Sequence, residues 1–165
     1  MPLSLALERI TYSQGMSESY RVGPDHDTVV AYITEAFAGV DVVTAMNATF
    51  FSIDPKTHWP NFATIVTTDE HDEAAPSNLD ARPDVYRLNI GVSRKTFDRL
   101  VGGVTDPDHA ALDRVLPHPV YARQHWISIL SPSDETFESV VKPLLQEAYD
   151  RLVTARERHR SAEPG

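Results

Sequence analysis

Val85-Tyr86-Arg87-Leu88-Asn89-Ile90-Gly91-Val92-Ser93 is the stretch on which the fold turns. Successive side chains of a strand point to opposite faces, so Val85, Arg87, Asn89 and Gly91 share one face and Tyr86, Leu88, Ile90 and Val92 share the other. The second face is wholly apolar and belongs to a core. Ser93 then caps a helix bearing Phe97, Leu100 and Val101, which Gly102-Gly103 ends.

Upstream, Val29, Val30, Ile33, Ala36 and Phe37 fall at helical spacing, with Asp25 as cap and Gly39 as stop, so a helix is expected over 26–38. Three strand-like runs follow, Val42–Met46, Thr49–Ile53 and Phe62–Thr68, separated by Asn47 and by Asp54-Pro55-Lys56. The short links favour antiparallel neighbours. Residues 69–84 form a long acidic loop holding Asp69, Glu70, Asp72, Glu73, Asp80 and Asp84 against Arg82 alone.

Downstream of Gly103, Asp106 with Pro107 at the first position suggests a short helix carrying Ala111, Leu112 and Val115. Pro117 and Pro119 forbid its continuation. Trp126–Leu130 is the fifth strand. Ser131 as cap and Pro132 behind it open the last helix, whose stripe runs from Phe137 to Val153. Pro143 lies inside that stripe, where it removes a hydrogen bond and clashes one turn back, so the helix should kink or restart there. The order α-β-β-β-β-α-α-β-α reads as an α+β single domain, a mainly antiparallel sheet of about five strands with helices packed on it. Its expected span is 25–157, with a flexible extension over 1–24 and a flexible tail over 158–165.

Composition bounds function. A chain of 165 residues suits one domain. No cysteine is present, which excludes disulfides, thiolate metal sites and thiol nucleophiles. The 24 acids against 15 Lys and Arg give −9, a charge that repels nucleic acid and anionic membranes at long range. Arg151, Arg156, Arg158 and Arg160 read as a solvated helix end, since no aromatic interleaves them. No apolar run approaches a membrane span, and no signal-peptide pattern is visible, so the expected address is cytoplasmic.

Arg87–Ser93, then Pro117-His118-Pro119-Val120-Tyr121 with Trp126, then Pro143-Leu144-Leu145 with Ala148-Tyr149, stand in order behind Phe51, Asp54-Pro55 and Phe62–Val66. Together these motifs resemble the bacterial family catalogued as domain of unknown function 6194, over about residues 27–155. That resemblance implies no particular activity. A more distant resemblance is to the MmcQ/YjbR-like superfamily, carried by Leu88–Val92, Ser93, Pro119, Tyr121, Trp126 and Tyr149. It implies a compact α+β fold like that of a double-wing DNA-binding module. The DNA role does not transfer, because the net charge has the wrong sign and Asn89 stands where the relatives often carry Lys.

The familiar catalytic patterns are missing. There is no His-Glu-x-x-His, no Gly-x-Ser-x-Gly and no Gly-rich phosphate loop, so neither a metal nor a nucleotide cofactor is implied. His71 lies beside Asp69, Asp72 and Glu73, an arrangement that reads as a solvated loop before it reads as a weak cation site. His118 between two prolines can be a general base or ligand contact on a rigid turn, or a ring bonded to backbone that fixes the connection. Arg87 and Asn89 form an anion- or amide-recognising pair if their face lines a groove. If that face lies under a helix, Arg87 pairs with an acid such as Asp54 or Asp84. Trp59 and Trp126 read as core or rim anchors; His58-Trp59-Pro60 can form a small aromatic wall, but core packing is expected ahead of it.

These observations favour a binding module for a protein partner or a small polar ligand, with Arg87, Asn89, His118, Tyr121 and Trp126 as candidate ligand-binding residues. The alternative is a small hydrolase or isomerase using His118, with Tyr121 and Asn89 as orienting groups. The third reading is a DNA-binding module, which the net charge of −9 disfavours.

Overall fold

The computed structural model describes residues 23–162. The expected flexible extension thus lies, up to residue 22, outside the described residues, as do 163–165 of the expected tail. Asp25 caps α1 (His26–Ala36) by accepting the Thr28 N–H at 2.9 Å, and Gly39 takes φ 74° just beyond it.

β1 (Asp41–Ala45) and β2 (Ala48–Ser52) form a hairpin whose two turn residues, Met46 and Asn47, both have positive φ. That is the mirror-image turn whose twist matches paired strands. β3 (Asn61–Val66), β4 (Arg87–Gly91), β5 (Leu116–Pro117) and β6 (Trp126–Leu130) complete a six-stranded antiparallel sheet in the order β1-β2-β3-β4-β6-β5. The register between β2 and β3 shifts at Phe51/Ser52, where Phe51 faces Ala63 but Ser52 faces Asn61. Phe62 is the extra residue of this bulge. It turns into the core against Phe51, Phe37 and Tyr149.

One face of the sheet is packed by helices. Val29 and Ile33 of α1 meet Phe51, Ile65, Leu88, Ile90, Ile127 and Ile129 in one buried cluster. α2 (Arg94–Val101) is capped by Ser93, as expected, and Glu147 accepts from Ser93 N at 2.8 Å and Thr96 Oγ1 at 2.7 Å. That carboxylate ties the start of α2 to the C-terminal helix. α3 (Asp134–Thr136), a π turn over Phe137–Val141 and α4 (Lys142–Ala162) run on as one rod. The register changes where Pro143 has no N–H to give: the Lys142 N–H reaches back to Phe137 O, closing the wider turn. α4 continues past residue 157, where the tail was expected to begin.

Two expectations are corrected. No helix forms after Asp106, which adopts φ 52°. Asp108 instead turns the chain by accepting the Ala110 N–H at 3.0 Å, and Leu112 bridges to Leu130. The apolar residues of this stretch seal the far edge of the sheet, and a sixth strand, β5, appears in place of the helix. Pro117 is tolerated there because an edge strand can lack a donor. The cap of the last helical rod is Ser133, not Ser131. Ser131 extends the β4–β6 pairing, giving its N–H to Tyr86 O at 3.0 Å. No helix among the described residues is long and apolar enough to cross a membrane.

Candidate functional site

The face of the sheet away from the helices carries the polar half of β4. Register places Thr64, Asn89 and Ser128 side by side across β3, β4 and β6, and sets Val66, Arg87 and Leu130 in the next row. This polar floor lies at the bottom of a cleft of about 480 Å³, a volume in the range of small-molecule sites.

Arg87 is 1% exposed and cannot lie there unpaired. Its Nη1 donates to Asp72 Oδ2 at 2.5 Å and to Ser77 Oγ at 3.1 Å, and its Nε donates to Asn89 Oδ1 at 3.0 Å. Asn89 Oδ1 also accepts from Ser128 Oγ at 2.8 Å, while its Nδ2 donates to Thr64 Oγ1 at 3.0 Å. Nη2 of Arg87 has no acceptor among the described residues, yet it is not sealed from water. The partner of Arg87 is therefore Asp72, neither Asp54 nor Asp84, and among the described residues no α-helix covers this face.

The acidic loop forms one wall. The Asp69 carboxylate accepts Leu79 N and Asp80 N, each at 2.8 Å, and Asp80 Oδ1 accepts Asp69 N at 3.1 Å. This reciprocal clasp closes the loop on itself. Leu79 is buried beneath it with Val66, Leu130 and Ala48 in a second, smaller core. With the Asp69 and Asp72 carboxylates engaged in this way, no group of three potential metal ligands is assembled among the described residues. His71 lines the cleft, and its Nε2 lies 2.8 Å from Met46 O. A carbonyl can only accept, so Nε2 carries a proton.

The Pro-His-Pro turn forms the opposite wall. His118 is 6% exposed, and its Nδ1 accepts the backbone N–H groups of Val120 at 2.9 Å and Tyr121 at 3.0 Å. The ring thus fixes the connection, as the backbone-bonded reading expected, and it also lines the cleft. Two donors on Nδ1 force the proton onto Nε2. Burial, followed by the nearby positive charge of Arg87, pushes the His118 pKa down to about 3. In this arrangement the Nδ1 lone pair is already used by two backbone N–H groups, and Nε2–H is a donor.

Aromatic rings rim the opening. Trp126, opposite Gly91 in register, lies over that glycine, where an added Cβ would come within 3.1 Å of the indole. Tyr121 packs against His118 at 5.1 Å between ring centroids and remains 53% exposed. Trp59 is 68% exposed, so the expected core packing of His58-Trp59-Pro60 is overturned. Its loop is anchored instead by His58 Nδ1, 2.7 Å from Asp41 Oδ2, and by Lys56 N on Asp54 at 2.9 Å.

The structure thus brings Arg87, Asn89, His118, Tyr121 and Trp126 to one cleft. Sequence reasoning missed Asp72, His71, Thr64 and Trp59 as members. The alternation of β3 could have found Thr64; the others come from loops and carry no periodic signal.

A recognised sequence family, DUF6194, described as a family of unknown function, matches residues 24–162. The chain belongs to that family. No curated protein and no solved structure matches it. In this DUF6194 chain the matched span takes in every strand and helix described above, so the cleft is part of the family domain and not an addition to it.

Proposed function

We propose that this DUF6194 chain is a non-enzymatic binding module whose cleft takes a small, partly polar ligand. The observation that carries the reading is convergence: Thr64 of β3, and the buried Arg87 and Asn89 of β4, Asp72 of the acidic loop and His118 of the Pro-His-Pro turn, line one cleft under an aromatic rim. Buried polar groups are retained against their desolvation penalty only where hydrogen bonds or a ligand repay it. An exposed indole beside a donor-bearing floor is the usual composition of a ligand site. A protein partner would have to insert a side chain into the same cleft.

The enzyme reading, a hydrolase or isomerase built on His118, loses its base for the reason given above. The DNA reading is disfavoured by a net charge of −9.

Both tryptophans of the chain, Trp59 and Trp126, line the cleft. Intrinsic fluorescence therefore reports occupancy directly. A survey of acidic, basic, neutral-polar and apolar fragments is expected to yield saturable changes in emission. Trp59→Ala, at an exposed position, should weaken the hits severalfold without unfolding the protein. If every fragment class leaves the emission unchanged, or if Trp59→Ala leaves all affinities intact, the cleft is not the site.

A further inference from the structure

We infer that the group read by this cleft is a neutral planar amide, a carbonyl oxygen lying beside an N–H. The inference rests on the binding role proposed above and adds the chemical class of the ligand.

Unspent hydrogen-bonding capacity decides the class. Among the described residues, Arg87 Nη2 has no acceptor, His118 Nε2–H has no acceptor, and Asn89 gives only one of its two amide hydrogens to Thr64. These are donors, and they call for an oxygen. Asp72 uses Oδ2 on Arg87, while its Oδ1 has no donor among the described residues. A ligand must therefore offer an acceptor and a donor together.

Charge narrows this further. Asp72 neutralises Arg87 through a contact in which both side chains are almost wholly buried, at 1% and 2% exposure. His118, in the field of that pair, is uncharged at neutral pH. The group formed by Arg87, Asp72 and His118 has no net charge to offer. A carboxylate would meet the free oxygen of Asp72, and a cation would meet Arg87; either ion would give up its hydration for no counter-charge. A carbonyl beside an N–H satisfies both sides without that penalty. Its flat face suits the rings of Trp59, Tyr121 and Trp126.

Benzamide, benzoate and benzamidinium share one shape and differ in charge and in donor pattern. Each is titrated into the full chain at neutral pH, with tryptophan emission as readout. Benzamide should saturate, with the two ions at least tenfold weaker. His118→Asn supplies a side-chain oxygen for the Val120 and Tyr121 N–H groups but lacks the Nε2–H, so it should weaken benzamide roughly tenfold. If that variant does not fold, the charge series on the natural chain decides alone. Benzoate or benzamidinium binding as tightly as benzamide overturns the inference and leaves the cleft in place as a site. Binding of none of the three also overturns it, whereas the wider reading is judged separately by the fragment survey and by Trp59→Ala.

Discussion

His118 is held by two backbone N–H groups that a protonated imidazole could not accept, and its charge state is therefore part of the fold. The unfolded chain takes up a proton near pH 6.5, whereas the folded chain resists until about pH 3. The folded pKa is depressed, so this contribution to stability is complete above 6.5 and is lost as pH falls through that window. The slope from this one group approaches ~1.4 kcal/mol per pH unit. His118→Asn cannot titrate. Urea denaturation of both proteins from pH 7 to pH 4 should show the natural chain losing more stability than the variant, and parallel losses would refute the account. Gly91 offers a second test at this scale. Gly91→Ala places a methyl 3.1 Å from the Trp126 indole, which must shift by a few tenths of an ångström. The emission maximum of Trp126, read in a Trp59→Phe background, should move, with a stability change of about 1 kcal/mol or less.

Elements whose identity is local were legible in the sequence. β4 alternates cleanly, α2 carries its cap at Ser93, and the apolar stripe of the last helix announces both itself and the break at Pro143. The stretch after Asp106 was misread because Pro107 and the spacing of Ala111, Leu112 and Val115 mimic a helix start. The competing use of Leu112 and Leu116, against β6, depends on a strand that lies later in the chain. The acidic loop was illegible for the same reason. Its charges looked solvated, yet Asp69 clasps Leu79 and Asp80, and Asp72 reaches Arg87 across 15 residues. Asp69→Ala removes charge-assisted hydrogen bonds, each worth about 1.5–3 kcal/mol at most. Hydrogen exchange should quicken at the Leu79 and Asp80 amides while β4 and β6 keep their protection. Uniformly faster exchange throughout the sheet would show that the loop is not a separate unit.

A single sheet with two different coverings explains the whole molecule. Helices seal one face with apolar contacts, and loops wall the other around a polar floor. The alternation of β4 gave away both faces at once: Leu88 and Ile90 belong to the core, Arg87 and Asn89 to the cleft. Nothing in that alternation could say whether the polar face was covered, because the walls come from distant segments. Stability and recognition should therefore separate. Ile33, fully buried on the helical side, is far from the cleft in the layering. Ile33→Ala should cost about 2–5 kcal/mol and lower the melting temperature by roughly 5–15 °C, while ligand affinity measured well below the transition stays within twofold. Trp59→Ala should do the reverse, weakening the ligand while shifting the melting temperature by no more than about 2 °C, as expected for an exposed side chain. A loss of affinity in Ile33→Ala equal to that in Trp59→Ala would mean that the helical layer shapes the cleft through the sheet, and the two faces would have to be treated as one cooperative site.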